Sequence, residues 1–173
     1  SFVTNVYTIA SNTSTPEYVV NSFFQHEKNS KRNKKASPKP QNKHIWATLD
    51  GKKVALARLG QQVELRQGSH IQHQVALADG CEALQEGLKE QFPDFTLILD
   101  FVHANEYLWK VANSLLGEGN ERREKWVKKQ TGLMLSGKTR EVIDDFRIRA
   151  KKKTRTKNQV EKLEKTANYF ERN

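Results

Sequence analysis

The chain has 173 residues, enough for one domain with a substantial core, and carries 30 lysines and arginines against 20 aspartates and glutamates. Its hydrophobic content is low, at 36%. No apolar run approaches the about 20 residues that a membrane-spanning helix needs, so we expect no membrane partner. The single cysteine, Cys81, excludes an intramolecular disulfide and any zinc site built on paired cysteines, and it favours a reducing cytoplasm.

The first part of the chain alternates between strand and helix patterns. Residues 2–10 are rich in β-branched and aromatic side chains and predict a strand. Thr15 as N-cap and Pro16 at the first helical position then predict the start of a helix. Residues 44–49 form a short strand candidate, and apolar residues at helical spacing predict a helix over 52–66.

The middle of the chain contains two short, continuous apolar runs. Residues 75–78 and 95–99 are predicted to be strands buried on both faces, as in a parallel sheet. A helix is predicted over 81–91 between them, and a second helix follows from Phe101 to just before Gly117. This strand–helix–strand–helix order favours a parallel α/β arrangement.

Helical patterns continue to the end of the chain. Asn120 is predicted to cap one helix, and two further amphipathic helices are predicted over 139–149 and 160–170. We therefore expect an all-helical insertion or appendage after the α/β part.

Positive charge is concentrated in two runs that contain no acid. Residues 28–43 hold seven lysines and arginines, and residues 147–157 hold seven more. Such runs are either solvated linkers or contacts for an anionic polymer, because neutralising a polyanion releases its counterions; composition does not separate DNA from RNA. The first run also contains prolines and predicts a flexible connector. The candidate phosphate-binding residues are Lys31, Arg32, Lys34, Lys35, Lys151, Lys152, Lys153 and Arg155.

Two acids, Asp79 and Asp100, directly follow the two predicted buried strands. Open α/β sheets collect ligands at the carboxyl ends of their strands, and carboxylates there suit Mg²⁺. The alternative is that each acid caps the helix that follows it. His103 lies three residues after Asp100, which puts both side chains on one face of the helix. This pair either binds a metal or orients a catalytic neighbour by hydrogen bonding, or Asp100 caps the helix while His103 packs beneath it.

Residues 99–110 read LDFVHANEYLWK and are preceded by Asp79-Gly80 and Phe92-Pro93. This pattern resembles insertion-sequence transposases of the ISKra type, whose catalytic domain is RNase H-like with a DDE acid set. Its most specific part is Asp100–Trp109. The similarity continues through residues 117–119, 126–127, 135–138, 141–143 and 168–171, and upstream through 6–9 and 46–49. It covers nearly the whole chain apart from the basic connector.

The resemblance implies a fold and a domain division. The expected fold is a truncated RNase H-like mixed α/β sheet with a helical insertion after the fifth strand. Residues 1–112 would form a partial catalytic core that includes the basic connector at 28–43, residues 113–158 the insertion, and residues 159–173 the start of a helix leading to a third acid. The implied setting is the bacterial cytoplasm, at the nucleoid, with transposon-end DNA as the partner.

The resemblance also implies a mechanism that this chain carries only in part. In the family, three acids hold two Mg²⁺ or Mn²⁺ ions that cut and join DNA by phosphoryl transfer. Asp79 matches the second acid, which makes it both the catalytic and the metal-binding candidate. Asp100 and His103 match an auxiliary motif that shapes the site or contacts DNA. The first acid is expected upstream of the part resembling residues 2–10, and the third beyond residues 169–173.

We therefore expect an internal fragment that is inactive alone and holds no metal tightly. The strand that carries the first acid is central in RNase H-like sheets, so its loss would expose unpaired strand edges and favour marginal stability or self-association. Two rival functions remain. One is a non-catalytic nucleic-acid-binding protein that stacks Trp46 or Trp109 on bases. The other is a helical interaction module with the α/β part as scaffold.

Overall fold

The computed structural model describes residues 1–24 and 38–173 and shows a mixed α/β protein, as the sequence predicts. The strands are β1 (Phe2–Thr8), β2 (Gln41–Thr48), β3 (Val75–Ala78) and β4 (Thr96–Leu99). The helices are α1 (Pro16–Phe24), α2 (Lys52–Glu64), α3 (Glu82–Gln91), α4 (Phe101–Leu116), α5 (Arg122–Leu135), α6 (Thr139–Ala150) and α7 (Lys157–Arg172). The described residues form two compact units, one of residues 1–13 and 38–100 and one of residues 14–24 and 101–173.

The first unit contains two separate two-stranded sheets. β1 and β2 pair antiparallel, with Val3 opposite Ala47. β3 and β4 pair parallel and in register, with Ala78 opposite Leu99. The parallel pair predicted from the strand–helix–strand order is confirmed, and it brings the carboxyl ends of β3 and β4 to the same edge.

Helices α2 and α3 pack on one face of these strands. Their buried centre is formed by Leu56 of α2, Leu88 of α3, Ala78 of β3 and Phe92. Because alternate residues of a strand point to opposite faces, this helical layer covers only every second side chain of β3 and β4.

The prediction that β3 and β4 are buried on both faces is therefore wrong. Val75 and Leu77 are 46% and 63% exposed, and Ile98 is 43% exposed. The antiparallel sheet also has an exposed face, on which Val3 is 70% and Ile45 58% exposed. A run of four apolar residues is compatible with one covered face, and only the packing decides whether a second layer is present.

The second unit is helical. Leu108 of α4, Phe146 of α6 and Leu163 of α7 are fully buried and form the centre of its core. α1 begins as predicted, since the Tyr18 backbone N–H donates to Thr15 Oγ1 at 3.2 Å. Just before α5, Asn120 Oδ1 accepts from the Arg122 backbone N–H at 2.9 Å, although the N-cap position itself is Glu121, one residue after the predicted Asn120.

The last helix begins earlier than the predicted residue 160. Thr156 is its N-cap, and Thr156 Oγ1 accepts from the Gln159 backbone N–H at 3.3 Å. Gln159 Oε1 accepts from the Thr156 backbone N–H at 3.2 Å, which completes a capping box. This local signal precedes the first apolar residue of the helix, so a search by apolar spacing alone places the start too late.

The domain boundaries inferred from the resemblance stay predictions. The boundary at residue 113 falls inside α4 (Phe101–Leu116), and residues 157–158 already belong to α7. Within residues 1–24 and 38–173, no helix is both long and apolar enough to cross a membrane.

Candidate functional site

Asp79 directly follows β3 and is exposed. Its Oδ1 accepts a hydrogen bond from the Cys81 backbone N–H at 3.0 Å. Its backbone carbonyl accepts from Gln85 Nε2 at 3.0 Å, and Gln85 is buried in α3. The turn is thus held by α3 from behind while the carboxylate faces solvent.

Asp100 lies beside Asp79 at the same edge of the first unit. The Asp100 backbone N–H donates to the Ala78 carbonyl at 2.7 Å, which extends the β3–β4 ladder by one residue. Neighbouring strands lie about 4.8 Å apart, so two carboxylate-bearing residues stand next to each other where the strands end. The structure therefore places both acids at the carboxyl ends of adjacent strands, as the sequence predicts.

The capping alternative accounts for part of this geometry. The N-cap of α3 is Cys81, whose side chain makes no capping hydrogen bond, and Asp79 Oδ1 binds the Cys81 N–H from two residues upstream. One oxygen of Asp79 therefore has a structural role in shaping the turn. The carboxylate stays exposed and therefore remains accessible from solvent.

His103 lies in the first turn of α4 in the second unit and is exposed, so it does not pack beneath its helix. In the described part of the chain, no group of three or more His, Cys, Asp or Glu side chains is placed to hold a metal ion. Asp79 and Asp100 offer the oxygen donors that Mg²⁺ prefers, but Mg²⁺ needs near-octahedral coordination, and two-metal chemistry needs further ligands.

Only the second of the two basic runs lies wholly within the described residues. Lys31, Arg32, Lys34 and Lys35 lie outside the described residues. Lys151, Lys152 and Lys153 are exposed in the turn between α6 and α7, and Arg155 is half-buried there. The turn therefore presents three consecutive lysines to solvent.

Two members of the second run are neutralised by acids from elsewhere in the sequence. Arg149 Nε lies 2.6 Å from Asp145 Oδ2, and Arg147 Nη2 lies 2.5 Å from Glu171 Oε2 on α7. Arg140 Nη1 also contacts Glu171 Oε1 at 2.9 Å. The net positive charge of this run is therefore lower in the folded protein than its sequence suggests. Glu171 also links α7 to α6 through its ion pairs with Arg140 and Arg147.

The Arg147–Glu171 pair gives a pH-dependent contribution to stability. The hydrogen bond from Arg147 lowers the pKa of Glu171 below its usual value, and Arg140 lowers it further. A carboxylate with a lowered pKa stabilises the folded state above its unfolded pKa, and this contribution is lost as pH falls through the folded pKa. We expect Glu171→Gln to lower the thermal midpoint at neutral pH. The difference from the wild type should shrink once the pH falls below the ordinary glutamate pKa of about 4.3, and vanish below the lowered pKa of Glu171 in the folded state.

Glu161→Gln is the matched control for this prediction, because Glu161 is exposed on the same helix and has no ion pair among the described residues. Its midpoint should follow the wild type at every pH. A difference for Glu171→Gln that is equally large at neutral and acid pH would contradict the ion-pair explanation.

The tryptophans suggested for base stacking are both half-buried and both have neighbours. The Arg58 guanidinium lies 4.8 Å from the ring centroid of Trp46 in the first unit. In the second unit, the Trp109 ring lies 6.3 Å from Phe24 and 6.0 Å from the Arg123 guanidinium. A base that stacked on the ring face occupied by one of these neighbours would have to displace it.

Sequence reasoning missed one basic surface, the groove between α1 and α5. Its α5 wall carries the exposed residues Lys125, Lys128 and Lys129. A search for long uninterrupted basic runs does not find them because Trp126 and Val127 separate Lys125 from Lys128 and Lys129. Their i, i+3 and i+4 spacing, which places side chains on one face of a helix, was the available signal.

In comparisons with known proteins, the chain matches no family model, no curated protein and no solved structure.

Proposed function

We propose that this chain is an internal part of a DDE transposase with an RNase H-like core, whose intact form cuts and joins DNA by metal-dependent phosphoryl transfer. The observation that carries the proposal is the pair of Asp79 and Asp100 at the carboxyl ends of the parallel strands β3 and β4. Asp79 is exposed and Asp100 is half-buried, and the carboxyl ends of strands are where α/β proteins hold metals for phosphate chemistry.

In this proposal Asp79 is a ligand of the metal and the 173-residue chain alone is inactive. Bound Mg²⁺ or Mn²⁺ would activate the attacking hydroxyl and stabilise the leaving oxygen of the phosphodiester. The role of the chain is positional: the Cys81 N–H and the Gln85 side chain fix the turn that presents the Asp79 carboxylate. Asp100 and His103 are auxiliary residues that shape the site or contact DNA.

The sheet arrangement supports an RNase H-like core that is completed by another segment. Within the described residues, β1 pairs with β2, β3 pairs with β4, and no hydrogen-bonded ladder joins the two sheets. Among the described residues, each of the four strands, β1 and β3 included, therefore has one edge of backbone N–H and C=O groups with no strand partner. A strand pairing with both edges would unite the two sheets and could bring the first acid of the set beside Asp79.

A cleavage assay tests the proposal. The purified 173-residue chain is incubated with Mg²⁺ or Mn²⁺ and DNA that carries the element's terminal repeats, beside a longer protein that includes the flanking coding sequence. We expect metal-dependent nicking by the longer protein alone, and a higher thermal midpoint for it because the added strand pairs the open edges. Nicking by the isolated chain, or none by either protein, would contradict the proposal.

A second candidate function, a non-catalytic nucleic-acid-binding protein, is favoured by the exposed lysines of the α6–α7 turn. Under this alternative, neutralising Lys151, Lys152 and Lys153 weakens DNA binding, Asp79→Ala has no effect, and no flanking segment confers cleavage. The same assay therefore separates the two candidates.

A further inference from the structure

The groove between α1 and α5 has a volume of about 500 Å³ and lies wholly within the second unit. Four lysines line it, Lys125, Lys128 and Lys129 from α5 and Lys138 beyond it, against one acid, Glu17 of α1. Its other lining residues include Val20, Gly132 and Leu133, which give it an apolar floor. The groove is thus a strip of apolar surface bordered by positive charge.

Three of these lysines have no acidic partner in the part of the chain that the structure describes. Lys138 Nζ lies 3.4 Å from Glu141 Oε1 at the start of α6 and is neutralised there. Among the described residues, Lys125, Lys128 and Lys129 have no ion pair, and all three are exposed. With a rise of 1.5 Å per residue, Lys125 and Lys129 stand about 6 Å apart along the axis of α5.

We propose that this groove, which we call the α1–α5 groove, binds the phosphodiester backbone of DNA. A row of separate, solvated ammonium groups suits an extended polyanion with repeated charges, because each lysine acts as a point charge that can pair with a different phosphate. The apolar floor lies beneath the row, where the sugars between successive phosphates would pack. The chain's net charge of +10 favours the same partner at long range.

The proposal rests on the DNA partner of the proposed function and not on cleavage. It adds a contact surface outside both basic runs and outside the edge that carries Asp79 and Asp100. Backbone contacts of this kind position a protein on DNA without reading its sequence.

The test compares two triple variants of the 173-residue chain that lose the same charge. One is Lys125→Gln/Lys128→Gln/Lys129→Gln. The control is Lys89→Gln/Lys162→Gln/Lys165→Gln, which changes exposed lysines outside the groove and outside both runs. Binding to a short fluorescent DNA duplex is measured by anisotropy over a range of salt, and circular dichroism checks that each variant keeps its helix content.

We expect the groove variant to bind about tenfold or more weakly at low salt, and the slope of log K against log salt to fall by about 3, roughly one for each lysine contact. The control should stay close to the wild type. Equal losses in the two variants would mean that net charge alone drives binding and would overturn the proposal, as would an unchanged groove variant.

Competitors and footprinting identify the ligand. If poly-glutamate displaces the labelled duplex as effectively as unlabelled DNA does, the groove is a site for an acidic protein. If duplex RNA binds more tightly than DNA and its binding depends on the groove lysines, the groove is an RNA site. Either result overturns the assignment to DNA. Lysine acetylation read by mass spectrometry should show Lys125, Lys128 and Lys129 protected in the DNA complex. Asp79-dependent cleavage by the longer protein, with no effect of the groove variant on DNA binding, would overturn this inference alone. Groove-dependent DNA binding by the 173-residue chain, with no cleavage by the longer protein, would overturn the transposase proposal alone.

Discussion

Replacing Asp79 with asparagine is expected to lower metal-dependent DNA cleavage by about a thousandfold or more in the longer protein of which we propose this chain is part. A metal ligand contributes several kcal/mol of transition-state stabilisation, and each 1.36 kcal/mol corresponds to about a factor of ten in rate. The asparagine oxygen can still accept from the Cys81 N–H, so the turn after β3 should keep its shape. The measurement is single-turnover nicking of terminal-repeat DNA in Mg²⁺.

The matched control is Asp94→Asn. Asp94 is an exposed acid of the same unit that lies in the turn before β4, away from the edge that carries Asp79. It should cleave at nearly the wild-type rate, while Asp100→Asn should have an intermediate effect if Asp100 only shapes the site. Equal rates for Asp79→Asn and Asp94→Asn would remove Asp79 from the metal site and the transposase proposal with it.

The largest effect on stability is expected from Phe146→Ala. Phe146 is fully buried, and its ring stacks on Trp126 at 5.8 Å between centroids and lies 6.3 Å from Phe170. Truncating such a ring removes its burial and leaves a cavity, at a cost of about 3–5 kcal/mol. That loss would move the urea midpoint of the second unit by roughly 1 M or more, given the usual dependence of stability on urea.

The two compact units call for a probe that reports on one of them. Trp46 lies in the first unit and the other tryptophans, Trp109 and Trp126, lie in the second. In a Trp46→Phe background, fluorescence therefore follows the second unit alone. Ile148→Ala on the same helix is the control, because Ile148 is 62% exposed and exposed substitutions usually change stability by less than about 0.5 kcal/mol. A Phe146→Ala variant as stable as Ile148→Ala would contradict this account of the core.

Several local features followed from the sequence alone. The helix that begins at Pro16 could be predicted because Thr15 caps the nearest backbone N–H groups, a contact that spans only a few residues. The parallel pairing of β3 with β4, and with it the shared edge of Asp79 and Asp100, could be predicted because a strand–helix–strand connection leaves few other arrangements. Both predictions depend on features that a sequence shows directly: contacts between residues a few positions apart, and the order of consecutive strands and helices.

Only the tertiary structure decided which surfaces are covered and which charges are compensated. Leu77 is exposed although its neighbours on β3 are apolar, because the helical layer packs on one face of the strand. Arg147 is neutralised by Glu171, which is 24 positions away, and the α1–α5 groove joins residues more than a hundred positions apart. Apolar spacing and caps act over one or two helical turns, whereas ion pairs and grooves depend on how distant helices pack, which no short window of sequence contains.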